Sequence, residues 1–141
     1  MHGLHLTADL RGCAPAQPLM TQPNALRRLC LAAAQDAGLQ AVGELFHHFA
    51  SVAPVLGAAQ AGITGVVLLA QSHLAVHTWP ELGAVTIDVF VCNFQGNHSR
   101  CAHVALERLV EAFAPGEVTR QELQRAGVQP DPAEERRRQR P

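Results

Sequence analysis

Tyrosine is absent from these 141 residues, tryptophan occurs once and phenylalanine five times. With so few aromatics, those that flank a motif are worth noting, and Phe49 and Trp79 both do so. An excess of charge of one sign is missing too. The formal net charge is −1 and the pI near 6.7, which gives no reason to expect nucleic acid or a membrane surface as partner. No apolar run reaches the roughly 20 residues of a membrane span. Met1–Asp9 lacks a signal-peptide pattern. The four cysteines, Cys13, Cys30, Cys92 and Cys101, form no CxxC pair, so free thiols in a cytoplasmic protein are expected. At this length one domain with a real core is expected, spanning residues 1–126. Residues 127–141 have almost no apolar content and read as a disordered, solvated tail, its four arginines offset by three acids.

What is there concentrates between Thr64 and Cys92. Gly65–Ala70 reads as a buried strand, interrupted at Gln71-Ser72. From His73 to His77 the pattern alternates, with His73, Ala75 and His77 on one face and Leu74 and Val76 on the other. Pro80–Gly83 should reverse the chain. The following strand sets Val85, Ile87, Val89 and Val91 against Thr86, Asp88, Phe90 and Cys92. A histidine and a cysteine on neighbouring strands can thus face a common site near Ser72.

Around this centre, Gly3–Asp9 alternates as a first strand. Arg11–Gln22 reads as a loop. A helix capped by Thr21 or Asn24 and ended by Gly38 carries the stripe Leu26, Leu29, Cys30, Ala33 and Ala37. Leu39–Phe49 reads as a strand bent at Gly43, and Ala50–Gly62 as a loop. A second helix, Ser99–Phe113, starts at Asn97 or Ser99 and stops at Pro115-Gly116. Glu117–Gln124 adds a last strand. The expected fold is α+β: a two-layer sandwich of an antiparallel sheet with two helices on one face, the other face left bare for pairing.

Residue by residue, bland readings stand beside chemical ones. A serine at a strand break is an ordinary turn residue, His77 a buried hydrogen-bonded imidazole, Cys92 a strand-end thiol and Glu81 a turn acid. No metal site is expected: His73 and His77 are four apart, roughly 13 Å on a strand, and His47 and His48 point to opposite faces of theirs.

The string QSHLAVHTWPE followed by AVTIDVFVC, with GITG upstream, resembles the signature of bacterial S-adenosylmethionine decarboxylases, in which a cysteine follows the serine by twenty residues as Cys92 follows Ser72. The resemblance implies a self-cleaving proenzyme of spermidine biosynthesis, cut between Gln71 and Ser72, with Ser72 becoming a covalent pyruvoyl group. It implies His77 for the proton transfers of processing, supported by Thr64, and Cys92 as the acid that protonates the substrate α-carbon. Glu81 would accept hydrogen bonds from the ribose hydroxyls of S-adenosylmethionine, and Phe49 and Trp79 are candidates to pack on adenine. A homodimer with face-to-face sheets and the active sites between them is implied as well. Two positions depart from the family pattern: Gln71 replaces glutamate and Thr64 replaces serine, both touching self-processing. Two rivals remain: a pyruvoyl-dependent decarboxylase of ornithine or arginine, and an unprocessed paralogue that regulates an active partner.

Overall fold

The computed structural model describes residues 2–49 and 61–126. Residues 50–60 of the expected loop and the expected tail lie outside them. Six strands form one antiparallel sheet: β1 (His2–Arg11), β2 (Ala41–Phe49), β3 (Gly62–Leu69), β4 (Ser72–Trp79), β5 (Ala84–Cys92) and β6 (Glu117–Ala126). Their order across the sheet is β2-β3-β4-β5-β1-β6. Among the described residues a four-residue helix α1 (Pro18–Thr21), α2 (Pro23–Asp36) and α3 (Ser99–Phe113) accompany the sheet.

The period-2 pattern does what it should. Leu74 and Val76, with Val85, Ile87, Val89 and Val91, are fully buried, as are Leu4, Leu6, Ala8 and Leu10 of β1. They meet Leu26, Cys30, Ala33 and Ala34 of α2 and Ala102, Leu106, Leu109 and Phe113 of α3. Each large side chain so buried contributes about 1.5–3 kcal/mol. At the sheet's flanks, Arg27 of α2 donates to Glu44 of β2 at 2.8 Å, and Arg120 of β6 donates to Glu107 of α3 at 2.9 Å. The helices therefore lie on one face.

The other face is uncovered. It carries Leu45, Leu68 and Leu123, which are 68%, 51% and 56% exposed, too apolar a set to be an ordinary solvated surface. Its middle holds a polar group: the His5 Nε2 and Asp88 Oδ1 atoms lie 3.1 Å apart, His73 packs on Phe90 at 5.4 Å, and Arg125 sits over the same ring.

Several sequence expectations need correction. The Arg11–Gln22 segment contains α1, held by Thr78. That hydroxyl is completely buried, donating to the Met20 carbonyl at 2.9 Å and accepting from the Ile63 amide at 3.0 Å. Neither Thr21 nor Asn24 caps α2, because Pro23 opens the helix behind Gln22. Gly38, at φ +77°, follows its end as expected. At Gly43 the expected bend or bulge is present, as a shift of register between Ala41 and Gly43. The largest change is at the centre: Gly65–His77 is not one interrupted strand. Leu69 pairs with Ser72, so Ala70 and Gln71 form a two-residue hairpin turn between β3 and β4.

Candidate active site

The turn at Ala70-Gln71 places the bond preceding Ser72 at the tip of a hairpin, with Gln71 exposed. The Ala70 amide donates to the Gln40 carbonyl at 3.2 Å, which ties the tip to the chain leaving α2. Ser72 opens β4 and Cys92 closes the adjacent β5. The Cys92 amide donates to Ser72 Oγ at 3.1 Å. Two residues twenty apart in sequence are thus brought into contact by the β4–β5 pairing, and the hydroxyl is held in one orientation.

A cavity of about 350 Å³ opens on these two residues. The hairpin tip, residues 38–40, Gln95 and His98 complete its lining. Cys92 is 7% exposed and lines this cavity. Burial pushes the Cys30 thiol up to about 12 and raises that of Cys13 as well. Both are packing groups of the core.

The structure does not bring His77 to this place. His77 lies five positions along β4 from Ser72, opposite Thr64 on β3 and Thr86 on β5. At about 3.3 Å per residue the two are roughly 16 Å apart. The expectation that a histidine and a cysteine share a site near Ser72 therefore fails within one chain. Alternation reports which face a residue takes, not where along the strand the chemistry sits.

A second cluster forms at the far end instead. His77 Nδ1 and the Thr64 hydroxyl share a hydrogen bond of 3.2 Å, whose direction follows the imidazole tautomer. Trp79 packs beside His77 with ring centroids 5.9 Å apart and beside Phe49 at 6.2 Å. Gly62 is required here, since a Cβ on it would collide with the Phe49 ring and the Thr78 carbonyl. Gly65 makes the same room for Phe46 on the helical face. Glu81 stands half-buried in the 3₁₀ turn Pro80–Leu82 that follows Trp79. Thr64, His77, Trp79 and Phe49 lie on the uncovered face.

Three residues with a part in this geometry were not singled out from the sequence. Thr78 looked like a strand residue, and only its burial reveals an anchor. Asn93 and His98 looked like a polar connection. In the fold, Asn93 Oδ1 accepts the His98 amide at 2.8 Å, and its Nδ2 donates to Ser99 Oγ at 3.0 Å.

Comparison with known proteins agrees with the arrangement. The family model described as S-adenosylmethionine decarboxylase matches residues 4–126. The chain is 33% identical over 130 residues to the S-adenosylmethionine decarboxylase proenzyme of Acetivibrio thermocellus, covering 92% of each chain. It is 31% identical over 131 residues to that of Moorella thermoacetica, covering 93% of each. The crystal structure of the adenosylmethionine decarboxylase from Aquifex aeolicus superposes with a TM-score of 0.73 at 31% identity, over 90% of this chain and 92% of that one.

Proposed function

The chain belongs to the S-adenosylmethionine decarboxylase family, and from that premise we propose that it is a self-cleaving, pyruvoyl-dependent decarboxylase of S-adenosylmethionine, supplying the aminopropyl donor of spermidine synthesis. The contact between Ser72 Oγ and the Cys92 amide, at the mouth of a ligand-sized cavity, carries this reading. It sets the family's serine and cysteine positions side by side, as a group formed at position 72 and an acid acting on its substrate must be.

Maturation begins at the hairpin tip. Ser72 Oγ attacks the Gln71 carbonyl carbon, and the amide becomes an ester. Loss of the Ser72 α-proton then expels the Gln71 carboxylate, and water replaces nitrogen, which leaves as ammonia. Cutting there suits the fold, because β3 stays paired with β2 and β4 with β5 after the turn opens. A neutral Gln71 adds no negative charge beside the oxyanion that forms on its own carbonyl. A pyruvoyl group at position 72 would supply the electron sink for the pair released as carbon dioxide leaves. The sequence contains no lysine that could hold pyridoxal in that role. Cys92 then delivers a proton to the substrate α-carbon from a site shielded from bulk water.

The 16 Å separation gives His77 a partner outside its own chain. We place it against Ser72 of a second copy. A two-fold axis through the uncovered face would lay the Thr64–His77 end of one sheet over the Ser72–Cys92 end of the other, twice by symmetry. The exposed Leu45, Leu68 and Leu123 supply apolar surface for that contact. In this dimer the Phe49–Trp79 pair and Glu81 meet the adenosine part of the substrate, aromatic rings against adenine and carboxylate against ribose hydroxyls. All four cysteines are free, which supports a reducing, cytoplasmic setting, and among the described residues no helix is long and apolar enough to cross a membrane.

Intact mass of the purified protein tests the proposal. Two fragments divided at residues 71 and 72 are expected, the second blocked by a ketone, with carbon dioxide released from S-adenosylmethionine. A chain that stays whole on prolonged incubation removes the enzyme reading and favours the regulatory paralogue. Release from ornithine or arginine alone would move the substrate.

A further inference from the structure

Decarboxylation replaces a carbon–carbon bond with a carbon–hydrogen bond, so each turnover consumes one proton. When Cys92 gives that proton to the substrate it is left as a thiolate, and the sulfur must be reprotonated before the next cycle. Cys92 is 7% exposed, so bulk water is a poor direct source.

Resting on the function proposed above, we infer that His98 is the residue that returns a proton to the Cys92 sulfur after each turnover. Among the described residues, two that line the cavity carry side chains able to exchange a proton near neutral pH, Cys92 and His98, and no Asp, Glu or Arg lines it. Imidazole is the side chain suited to loading from water near neutral pH. His98 is half-buried and lines the cavity that Cys92 also lines.

Its backbone is pinned from both sides. Asn93 Oδ1 accepts the His98 amide at 2.8 Å, and the His98 carbonyl accepts the Ala102 amide at 3.1 Å in the first turn of α3. Asn93 in turn donates its own amide to the His2 carbonyl at 2.7 Å, fixing the loop to β1. The His2 and Arg100 side chains are both exposed and neither lines the cavity. The step moves one proton, from imidazolium nitrogen to Sγ, with no change of oxidation state; the neutral ring then reloads from water at the cavity mouth. His98 acts through Cys92 and is a positioning residue in that sense. His77, about 16 Å along β4 in the same chain, enters the proposed dimer from the uncovered face and serves the cutting step instead.

The test uses His98→Asn, since asparagine is a good residue at a helix start and keeps α3. Alkylation of Cys92 by iodoacetamide at pH 7, followed by peptide mass, is measured in an unprocessed Ser72→Ala background, where no pyruvoyl group is needed. An imidazole that exchanges a proton with the sulfur assists its alkylation, so His98→Asn should slow the reaction about tenfold, and His103→Asn, on α3 outside the cavity, should not. In processed enzyme, His98→Asn should lower kcat about tenfold or more with KM within about twofold, and added imidazole should restore turnover. Unchanged alkylation in His98→Asn, a loss of kcat that imidazole does not relieve, or equal slowing by His103→Asn would overturn the inference. Wild-type protein that neither cleaves nor decarboxylates would sink the functional reading separately.

Discussion

The position of His77 along β4, far from the serine it is proposed to serve, has a quantitative consequence. Ser72 and His77 are five residues apart on β4, roughly 16 Å. No side-chain rotation closes that distance, so on the proposed mechanism cleavage of one chain needs the imidazole of another. Ser72→Ala removes the nucleophile, and His77→Ala removes a proton carrier worth about 10²–10⁴ in rate; either variant alone should stay uncut. Now let both be expressed together in equal amounts, with distinguishable tags. Random pairing makes about half the dimers mixed, and each mixed dimer has one complete site of two, so about a quarter of the wild-type pyruvoyl content should return. Only the His77→Ala chain should be cut, because it alone keeps Ser72. Intact mass of each tagged chain reads both the fraction and the identity. If mixed dimers are recovered by both tags and no chain is cut, His77 acts within its own chain or not at all, and the two-fold arrangement argued from the strand distance is wrong.

Cys92→Ala should cleave normally yet lose decarboxylation, since it deletes the proposed acid and leaves the processing groups; single-turnover assays with S-adenosylmethionine decide this. Thr78→Val keeps shape but strands the buried Ile63 amide and Met20 carbonyl, which should cost about 2–4 kcal/mol in denaturant unfolding. For His73, burial first and then His5 and Arg125 hold the imidazole below its usual range, with Asp88 opposing. The folded state thus prefers the neutral ring, and that contribution is complete above about pH 6.5 and lost as pH falls through the lowered folded value. His73→Gln should therefore flatten the fall of Tm on acidification below about pH 6.5. Leu45→Glu with Leu68→Glu should leave a folded monomer that does not cleave, by sedimentation and intact mass. A dimer surviving both charges would put the contact elsewhere.

Much of this protein could be read without coordinates, for local reasons. The alternation of Leu74 and Val76 against His73 and His77 needs only the pleat of one strand. The stripe of α3 needs only 3.6 residues per turn, and the stops at Gly38 and Pro80–Gly83 need only the conformational habits of glycine and proline. The spacing of Ser72 and Cys92 inside a long matching string was enough to suggest the family. Other features belong to pairs of elements and had no local signal. Whether Gln71-Ser72 interrupts one strand or joins two depends on Leu69 pairing with Ser72. The β4–β5 register then sets Cys92 beside Ser72 and carries His77 to the opposite end. The burial of Thr78 and the entry of His98 into the cavity depend on where α1 and the Asn93 loop dock. Periodicity names the face a side chain takes; its position relative to another strand is set by hydrogen-bond register, which exists only once both strands are in place.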